Sequence, residues 1–314
     1  MQRPLDKALR IGTRGSPLAL YQAELVQSKL VQAYDLDKSW FPITTFTTSG
    51  DKFQGELSEF GGKGLFTKEL ERALLSDQVD LTVHSMKDVP TCSQDGLEII
   101  AVLEREDPRD AFIAPNFKSI TDLPKGALVG TASIRRRAQL LSMRSDIEFT
   151  LLRGSVGKRV EKLNGGACVA TFLAYAGLKR LGQTELVSQI MPIEIMLPAP
   201  AQGAIGIEIR ADDSRTKNAL KILDHRATHI AIKAERGFLE ALNGSCRTPI
   251  AALASLEGES LDFKGSVFAK DGSRSFHRAQ RKACKTLEQA QEFGRAIGAD
   301  LRFEIGDRIL WDED

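Results

Sequence analysis

Short runs of β-forming residues alternate with helical patterns through the first two-thirds of this 314-residue chain. Strand-like segments lie at residues 9–13, 43–48 and 79–83, and the apolar spacing of residues 66–74 is that of an amphipathic helix. Further strand–turn–helix units begin at Leu128, Phe149 and Val169. Because parallel neighbours need crossover connections, the alternation predicts an α/β fold with mixed, mainly parallel sheets.

The chain changes character near residue 223. A helical pattern through Phe238 precedes two strand-like segments, at residues 251–256 and 261–268, with a turn between them. Two β runs joined by a turn favour antiparallel pairing, so we expect a smaller α+β domain with an antiparallel sheet over residues 223–314. The proline-containing stretch of residues 197–203 is a predicted crossing between domains.

A glycine-rich segment separates the second strand-like run from its helix. Glycine occupies positions 50, 55, 61, 62 and 64. Glycine raises the entropic cost of fixing one conformation, so we expect a mobile lid loop over about residues 50–64. A plain surface loop is the alternative.

Charge and cysteine content exclude several classes of protein. Lys and Arg number 43 against 42 Asp and Glu, and aromatic residues make up 6% of the chain. A chain that binds nucleic acid would be basic with interleaved aromatic residues, so nucleic acid is not an expected partner. No apolar run reaches the ~20 residues of a bilayer span, and residues 1–7 are not of signal-peptide type, so we expect no membrane partner and a cytoplasmic location. The four cysteines form no CxxC pair, so neither a metal site nor a disulfide framework is expected.

Arginines cluster directly after strand-like segments. They are Arg14, Arg135, Arg136, Arg137, Arg153 and Arg159. Ligands of α/β sheets bind beyond the carboxyl ends of the strands, where helix N-termini present free N–H groups to anions. A guanidinium adds a planar fork that suits carboxylate or phosphate. For any one arginine a solvated helix-end charge is the alternative, whereas the repeated placement predicts a ligand with several negative groups.

Two further positions could carry chemistry. Lys87 and Asp88 close the third strand-like segment, either as a structural ion pair or with the carboxylate stabilising a cation that develops on a substrate. Cys246 lies in a turn-rich segment beside Arg247, where an exposed and partly activated thiol would suit covalent attachment. Inert packing is the alternative for Cys246.

Several motifs follow one another in a fixed order along the chain. They are residues 10–20 (RIGTRGSPLAL), 61–66 (GGKGLF), 83–90 (VHSMKDVP), 105–111 (REDPRDA), 130–136 (GTASIRR), 176–181 (AGLKRL) and 202–204 (QGA), with Cys246 beyond them. Taken together, and nearly from end to end, the sequence resembles the porphobilinogen deaminase (hydroxymethylbilane synthase) family. Each run alone is unspecific, whereas the whole set in order is highly specific.

The resemblance implies three domains, two of them shaped like the lobes of a type II periplasmic binding protein. Domain 1 would comprise residues 1–104 and 202–222, domain 2 residues 105–201, and domain 3 residues 223–314. A dipyrromethane cofactor would be held covalently, as a thioether on Cys246. Four porphobilinogen molecules would be deaminated and joined head to tail onto this primer, and water would then release the linear tetrapyrrole hydroxymethylbilane.

The same resemblance assigns roles to residues. Asp88 would hydrogen-bond the pyrrole N–H groups, stabilise the electron-poor azafulvene left when ammonia departs, and assist proton transfer. The positions that would bind the cofactor and substrate are Arg14, Ser16, Lys63, Ser85, Lys87, Thr131, Ser133, Arg135, Arg136, Arg153, Arg159, Arg180 and Gln202. The resemblance implies a cytoplasmic, monomeric transferase of tetrapyrrole biosynthesis. The alternative is a non-enzymatic, two-lobed binding protein for a polycarboxylate ligand.

The chain departs from the family pattern at positions beside the ligand, and not at Asp88 or Cys246. The departures are Gly15, Glu59, Ser155, Lys158, Ala201 and Ser245. We expect them to alter the fit of individual carboxylates and to leave the reaction unchanged.

Overall fold

The computed structural model describes residues 5–52, 64–91, 94–245 and 248–308. By its internal contacts the chain divides into two compact units. The first contains the described residues of Met1–Phe53, Gly62–Arg105 and Ala204–His229, and the second contains those of Glu106–Gly203 and Ile230–Asp314. The chain therefore leaves the first unit after Arg105 and returns to it at Ala204.

Strands and helices alternate through most of the described residues. The strands are β1 (Ile11–Arg14), β2 (Ile43–Phe46), β3 (Leu81–Ser85), β4 (Leu97–Val102), β5 (Asp110–Ile113), β6 (Leu128–Gly130), β7 (Glu148–Thr150), β8 (Ala170–Ala174), β9 (Gln189–Ile190), β10 (Ile205–Arg210), β11 (Ile250–Glu257), β12 (Ser260–Phe268) and β13 (Ser275–Ala283). The helices are α1 (Pro17–Tyr34), α2 (Ser49–Lys52), α3 (Lys68–Leu75), α4 (Ile134–Met143), α5 (Val156–Asn164), α6 (Tyr175–Arg180), α7 (Ser214–Leu220), α8 (Arg226–Ala241) and α9 (Leu287–Ile305). None of these described helices is both long enough and apolar enough to cross a lipid bilayer.

The first unit is built on a five-stranded sheet in the order β2-β1-β3-β10-β4. Strands β2, β1 and β3 run parallel, and β10 runs antiparallel to both β3 and β4. Helix α1 begins directly beyond β1 because the Ser16 side chain caps its first turn and Pro17 suits the first helical position. Leu30 of α1 packs in one core with Ile11 and Leu81 of the sheet.

The first sheet of the second unit repeats this arrangement. Its order is β7-β6-β8-β5-β9, with β7, β6 and β8 parallel and β5 antiparallel to both β8 and β9. Helices α4 and α5 begin beyond β6 and β7, where Ser133 and Ser155 cap their first turns. Phe112, Val129 and Phe172 lie in the core of this sheet. Each of the two sheets thus places three parallel strands beside one strand of opposite direction.

The C-terminal residues of the second unit form a separate three-stranded sheet. Strands β11, β12 and β13 pair antiparallel in sequence order. Phe238 of α8 and Phe293 of α9 pack against Phe263 of β12, with ring centroids 5.1 and 6.3 Å away. The two helices therefore share one apolar core with the sheet.

The predicted fold class is confirmed: two mixed sheets with mainly parallel strands, and an antiparallel C-terminal sheet. Some element ends differ by a few residues, since the run predicted at 43–48 ends at Phe46. Strands β4, β5, β9, β10 and β13 were not predicted. β13 is almost wholly exposed, so its sequence lacks the apolar alternation by which a strand is recognised.

Helices α8 and α9 come together at a glycine, and this contact can be tested. An added Cβ at Gly294 would overlap the backbone carbonyl oxygen of Ala234. We expect Gly294→Ala to lower the free energy of unfolding by ~2 kcal/mol or more, because backbone cannot move aside as a flexible side chain can.

Gly157→Ala in α5 is the matched control for this contact. An added Cβ at Gly157 meets nothing within 4 Å. Alanine favours a helix over glycine, so this variant should gain up to ~1 kcal/mol of stability. Urea unfolding of both variants makes the comparison, and similar effects of the two changes would contradict the close packing of α8 and α9.

Candidate active site

In the first unit, predicted site residues gather where β1 gives way to α1. Arg14 is the last residue of β1, and its guanidinium carbon lies 4.4 Å from the centroid of the Phe66 ring. Ser16 accepts a hydrogen bond from the Ala19 N–H at 3.3 Å. The first turn of α1 therefore presents backbone N–H groups beside a cation.

Strand β3 of the same sheet ends at Ser85 and continues into a 3-10 turn, Met86–Asp88. Asp88 is half-buried, and Lys87 is exposed. The Ser85 hydroxyl bonds with the amide of Gln22, at 2.8 Å from its Nε2. Because β1 and β3 are adjacent and parallel, their carboxyl ends lie at the same edge of the sheet. Arg14 ends β1 and Asp88 follows β3, so both lie at that edge.

In the second unit, Thr131 and Ser133 form the turn between β6 and α4. Thr131 accepts a hydrogen bond from the Ser133 N–H at 3.1 Å, and Ser133 accepts one from the Arg136 N–H at 3.4 Å. Both hydroxyls therefore order the start of the helix that carries Arg135 and Arg136.

Arg135 and Arg136 converge on the carboxylate of Asp110, the first residue of β5. Nε and Nη2 of Arg136 donate to Oδ1 of Asp110 at 3.1 and 2.7 Å. Nη2 of Arg135 lies 2.8 Å from Oδ2 as an ionic contact, which is not aligned as a hydrogen bond. Arg135 and Arg136 also donate to the backbone carbonyls of Leu197 and Phe172, at 2.8 and 2.7 Å.

This three-residue group is buried and carries excess positive charge. Asp110 is fully buried, and Arg135 and Arg136 are 5% and 6% exposed. Burial alone would raise the pKa of the Asp110 carboxyl, but the two guanidinium groups hold that pKa well below its usual range. Burial lowers the pKa of Arg135, which also lies beside a second cation. Two guanidinium groups against one carboxylate leave about one uncompensated positive charge.

The remaining predicted residues of the second unit lie around this group or after β7. Gln202 is buried and donates from Nε2 to the Pro108 carbonyl at 2.7 Å and to Oδ1 of Asp110 at 3.0 Å. Arg180 donates to the Gly203 carbonyl at 2.7 Å. Arg153 and Arg159 are half-buried on either side of the first turn of α5.

Three of the sequence predictions fall on residues that the structure does not describe. Lys63 and Cys246 lie outside the described residues, as does the lid segment from 53 to 63. The positions of the predicted lid and of the attachment cysteine therefore stay predictions.

The donor set of each unit suits carboxylate groups. Guanidinium groups, hydroxyls and the first turns of helices donate hydrogen bonds or present positive charge. Asp110 was not predicted to belong to the site, although it lies within the REDPRDA motif. The signal was available, since an aspartate that begins an apolar run (Ala111–Ile113) needs a buried cation.

The sequence is similar to known proteins over nearly its whole length. The family model "Porphobilinogen deaminase, dipyromethane cofactor binding domain" matches residues 9–218, and "Porphobilinogen deaminase, C-terminal domain" matches residues 229–302. A porphobilinogen deaminase from Paracoccus denitrificans is 46% identical over 301 residues, which are 96% of this chain and 94% of that protein. One from Nitrobacter winogradskyi is 45% identical over 304 residues, with the same two coverages.

The similarities to solved structures are more distant. The methionine binding protein MetQ is 12% identical with a TM-score of 0.44, over 69% of this chain and 88% of that one. A putative methionine-binding lipoprotein from Bacillus subtilis is 11% identical with a TM-score of 0.42, over 69% of this chain and 90% of that one.

The buried Asp110 group predicts a large and pH-dependent effect on stability. We expect Asp110→Asn to lower the free energy of unfolding by about 3–5 kcal/mol, because it leaves two buried guanidinium groups without a counter-charge. Since the folded pKa of Asp110 is depressed, its contribution is complete above the unfolded pKa of ~3.9 and declines as the pH falls toward the lower folded value. The difference in free energy of unfolding between the wild type and Asp110→Asn should therefore be constant between about pH 5 and 8, and it should become smaller below about pH 4.

Urea unfolding across this pH range measures the effect. Asp262→Asn is the control, because Asp262 pairs with Arg281 on the exposed face of β12 and β13. This change should alter stability little. A deficit of Asp110→Asn as small as that of the control would contradict the role given to Asp110.

Proposed function

Because the chain belongs to the porphobilinogen deaminase family, we propose that it is the transferase that converts porphobilinogen to hydroxymethylbilane. Four porphobilinogen molecules lose ammonia and are joined head to tail on a covalently bound dipyrromethane, and water releases the linear tetrapyrrole. The observation that carries this proposal is the match of both family models, in order, over residues 9–218 and 229–302.

The residues of the second unit fit a dipyrromethane that carries carboxylate side chains. The Arg135, Arg136 and Asp110 group keeps an excess positive charge, and Nε of Arg135 is buried with no hydrogen-bond partner among the residues that the structure describes. An anionic group can offset such a charge at little desolvation cost, because the arginines are already desolvated and oriented. The chemistry that a bound dipyrromethane supplies is a nucleophilic pyrrole carbon that accepts the first substrate unit.

The arginines serve to hold the ligand carboxylates. We assign Arg14 of the first unit, and Arg153, Arg159 and Arg180 of the second, to carboxylates of cofactor and substrate. Ser16, Thr131 and Ser133 add the first turns of α1 and α4 as donors. Lys63, Ser85, Lys87 and Gln202 complete the proposed binding set. These contacts orient the reacting rings, and correct orientation can lower a reaction barrier by several kcal/mol.

Asp88 is the proposed catalytic residue. Its carboxyl group is half-buried in the 3-10 turn that follows β3, at the same sheet edge as Arg14. As ammonia leaves the aminomethyl group of the substrate, positive charge develops on the pyrrole, and a fixed carboxylate stabilises that charge. The same carboxylate accepts hydrogen bonds from pyrrole N–H groups and takes up the proton lost at the substituted carbon.

We also propose a cellular location, an oligomeric state and a domain organisation. We propose a cytoplasmic monomer with three domains, at residues 1–104 with 202–222, at 105–201, and at 223–314. The free, buried thiols of Cys168 and Cys284 support a reducing location.

Covalent attachment predicts a simple result for the cysteines. Intact-mass measurement of the purified protein should show a dipyrromethane adduct, because the proposed thioether survives denaturation. Cys246→Ala should lose both the adduct and nearly all activity, since attachment needs the thiol. Cys168→Ala and Cys284→Ala should keep both. An active Cys246→Ala protein that carries no adduct would contradict the attachment site.

The role of Asp88 predicts a loss of turnover with little change in substrate binding. Asp88→Asn should lower kcat by at least ~10³-fold, because it removes the charge and the proton acceptor. Asp88→Glu keeps both but displaces the carboxylate by one methylene, so a loss of about 10²-fold is expected. Single-turnover rates on folded, cofactor-loaded protein make the measurement, and a normal rate for Asp88→Asn would end the catalytic assignment.

A further inference from the structure

A buried polar group joins β3, the strand that leads into the turn with Asp88, to β10, and the proposed reaction does not use it. His84 of β3 places Nε2 at 2.9 Å from Oε2 of Glu208 on β10. The Thr82 hydroxyl lies 2.8 Å from the same nitrogen. The side chains of His84 and Glu208 are 4% and 2% exposed, and Thr82 is fully buried. Burial of such a group costs free energy of desolvation, so its polar atoms need well-placed hydrogen-bond partners.

The group joins β3 to the one strand of its sheet, among the described residues, that runs in the opposite direction. In the register of this pair, Gly206 stands opposite His84, and Glu208 stands opposite Thr82. The Met86 N–H continues the ladder by donating to the Ala204 carbonyl at 3.0 Å. The 3-10 turn Met86–Asp88 therefore starts from a strand end that is tied to β10.

A glycine on β10 supports the same connection. An added Cβ at Gly206 would overlap the sulfur of Met86, so the Met86 side chain occupies the space above the glycine. Met86 is buried, and it lies two residues before Asp88. Backbone, apolar and polar contacts thus all hold the end of β3 on β10.

One further charged side chain faces the group. Glu71 of α3 interacts with both Glu208 and His84, and burial raises the pKa of its carboxyl. Loss of either member of the His84–Glu208 pair would leave a buried polar group uncompensated near this second carboxyl. The strand end would then relax, and Asp88 would move with it.

We propose that His84 and Glu208 are positioning residues, which hold the end of β3 on β10 and thereby set the place of the Asp88 carboxylate. The inference rests on the proposed function of Asp88. A purely structural pair would affect stability alone, whereas a positioning pair also affects the turn and the turnover rate of folded protein.

The opposite end of β3 offers a matched control. Asp80, which immediately precedes β3, is 1% exposed and accepts from Nε of Arg10 at 3.0 Å. Asp80→Asn therefore breaks a buried carboxylate–cation contact beside the same strand, at the end away from Asp88. It should lower stability and leave the catalytic turn in place.

The experiment compares Glu208→Gln, Glu208→Leu and Asp80→Asn with the wild type, all folded and purified in the same way. Hydrogen exchange should show faster exchange of the Met86 to Val89 amides in both Glu208 variants and not in Asp80→Asn. Glu208→Leu should lower kcat by ~10- to 100-fold with KM within about twofold. Glu208→Gln should retain part of the rate, because its amide oxygen can still accept from His84.

Several outcomes decide the proposal. The proposal is overturned if both Glu208 variants show amide exchange at Met86 to Val89 no faster than that of Asp80→Asn. It is also overturned if both keep the kcat of Asp80→Asn. If Glu208→Leu does not fold, Glu208→Gln alone carries the same comparison. Failure of the proposed function is recognised separately, because the wild type would then release no ammonia from porphobilinogen, while the exchange measurement would still decide whether the pair holds the turn.

Discussion

One buried carboxylate, Asp110, is shared by two guanidinium groups, and the second unit is organised around this contact. It joins the first residue of β5 to the first turn of α4, and Gln202 adds the segment through which the chain returns to the first unit. Because the three charged groups are desolvated, none can be removed cheaply. The contact leaves one positive charge in excess, so the fold itself retains an attraction for an anion.

The same topology serves both sheets. In each, one strand of opposite direction lies beside the third of three parallel strands, and that strand carries a buried carboxylate. Asp110 begins β5 and holds the arginines, whereas Glu208 lies within β10 and contacts His84. In each sheet, the strand of opposite direction thereby brings a buried acidic side chain beside the three parallel strands.

Much of this organisation was predictable, because alternating strand and helix patterns and serine caps are local signals. Ser16 and Ser133, both assigned from sequence to the site, do cap helices that follow β1 and β6. The strands of opposite direction were harder to predict, since a four-residue run such as β5 resembles any short apolar segment. The sequence around Asp110 indicates that it needs a buried cation, but which cations these are could not be predicted, because strand pairing, and not spacing along the chain, brings Asp110 to Arg135 and Arg136. Ala201, one of the positions at which the chain departs from the family pattern, adopts a left-handed φ of 63°, a conformation that favours glycine.

The chemistry separates an enzyme from a binding protein by what happens to the ligand. A binding protein would return porphobilinogen unchanged, whereas the proposed transferase must expel one ammonia for each unit that it joins. The most direct measurement is the ratio of ammonia to tetrapyrrole released when the purified protein is given porphobilinogen. The account predicts four ammonia molecules for each hydroxymethylbilane, with Asp88→Asn protein releasing almost none. Binding of porphobilinogen with no ammonia released by the wild type would contradict it.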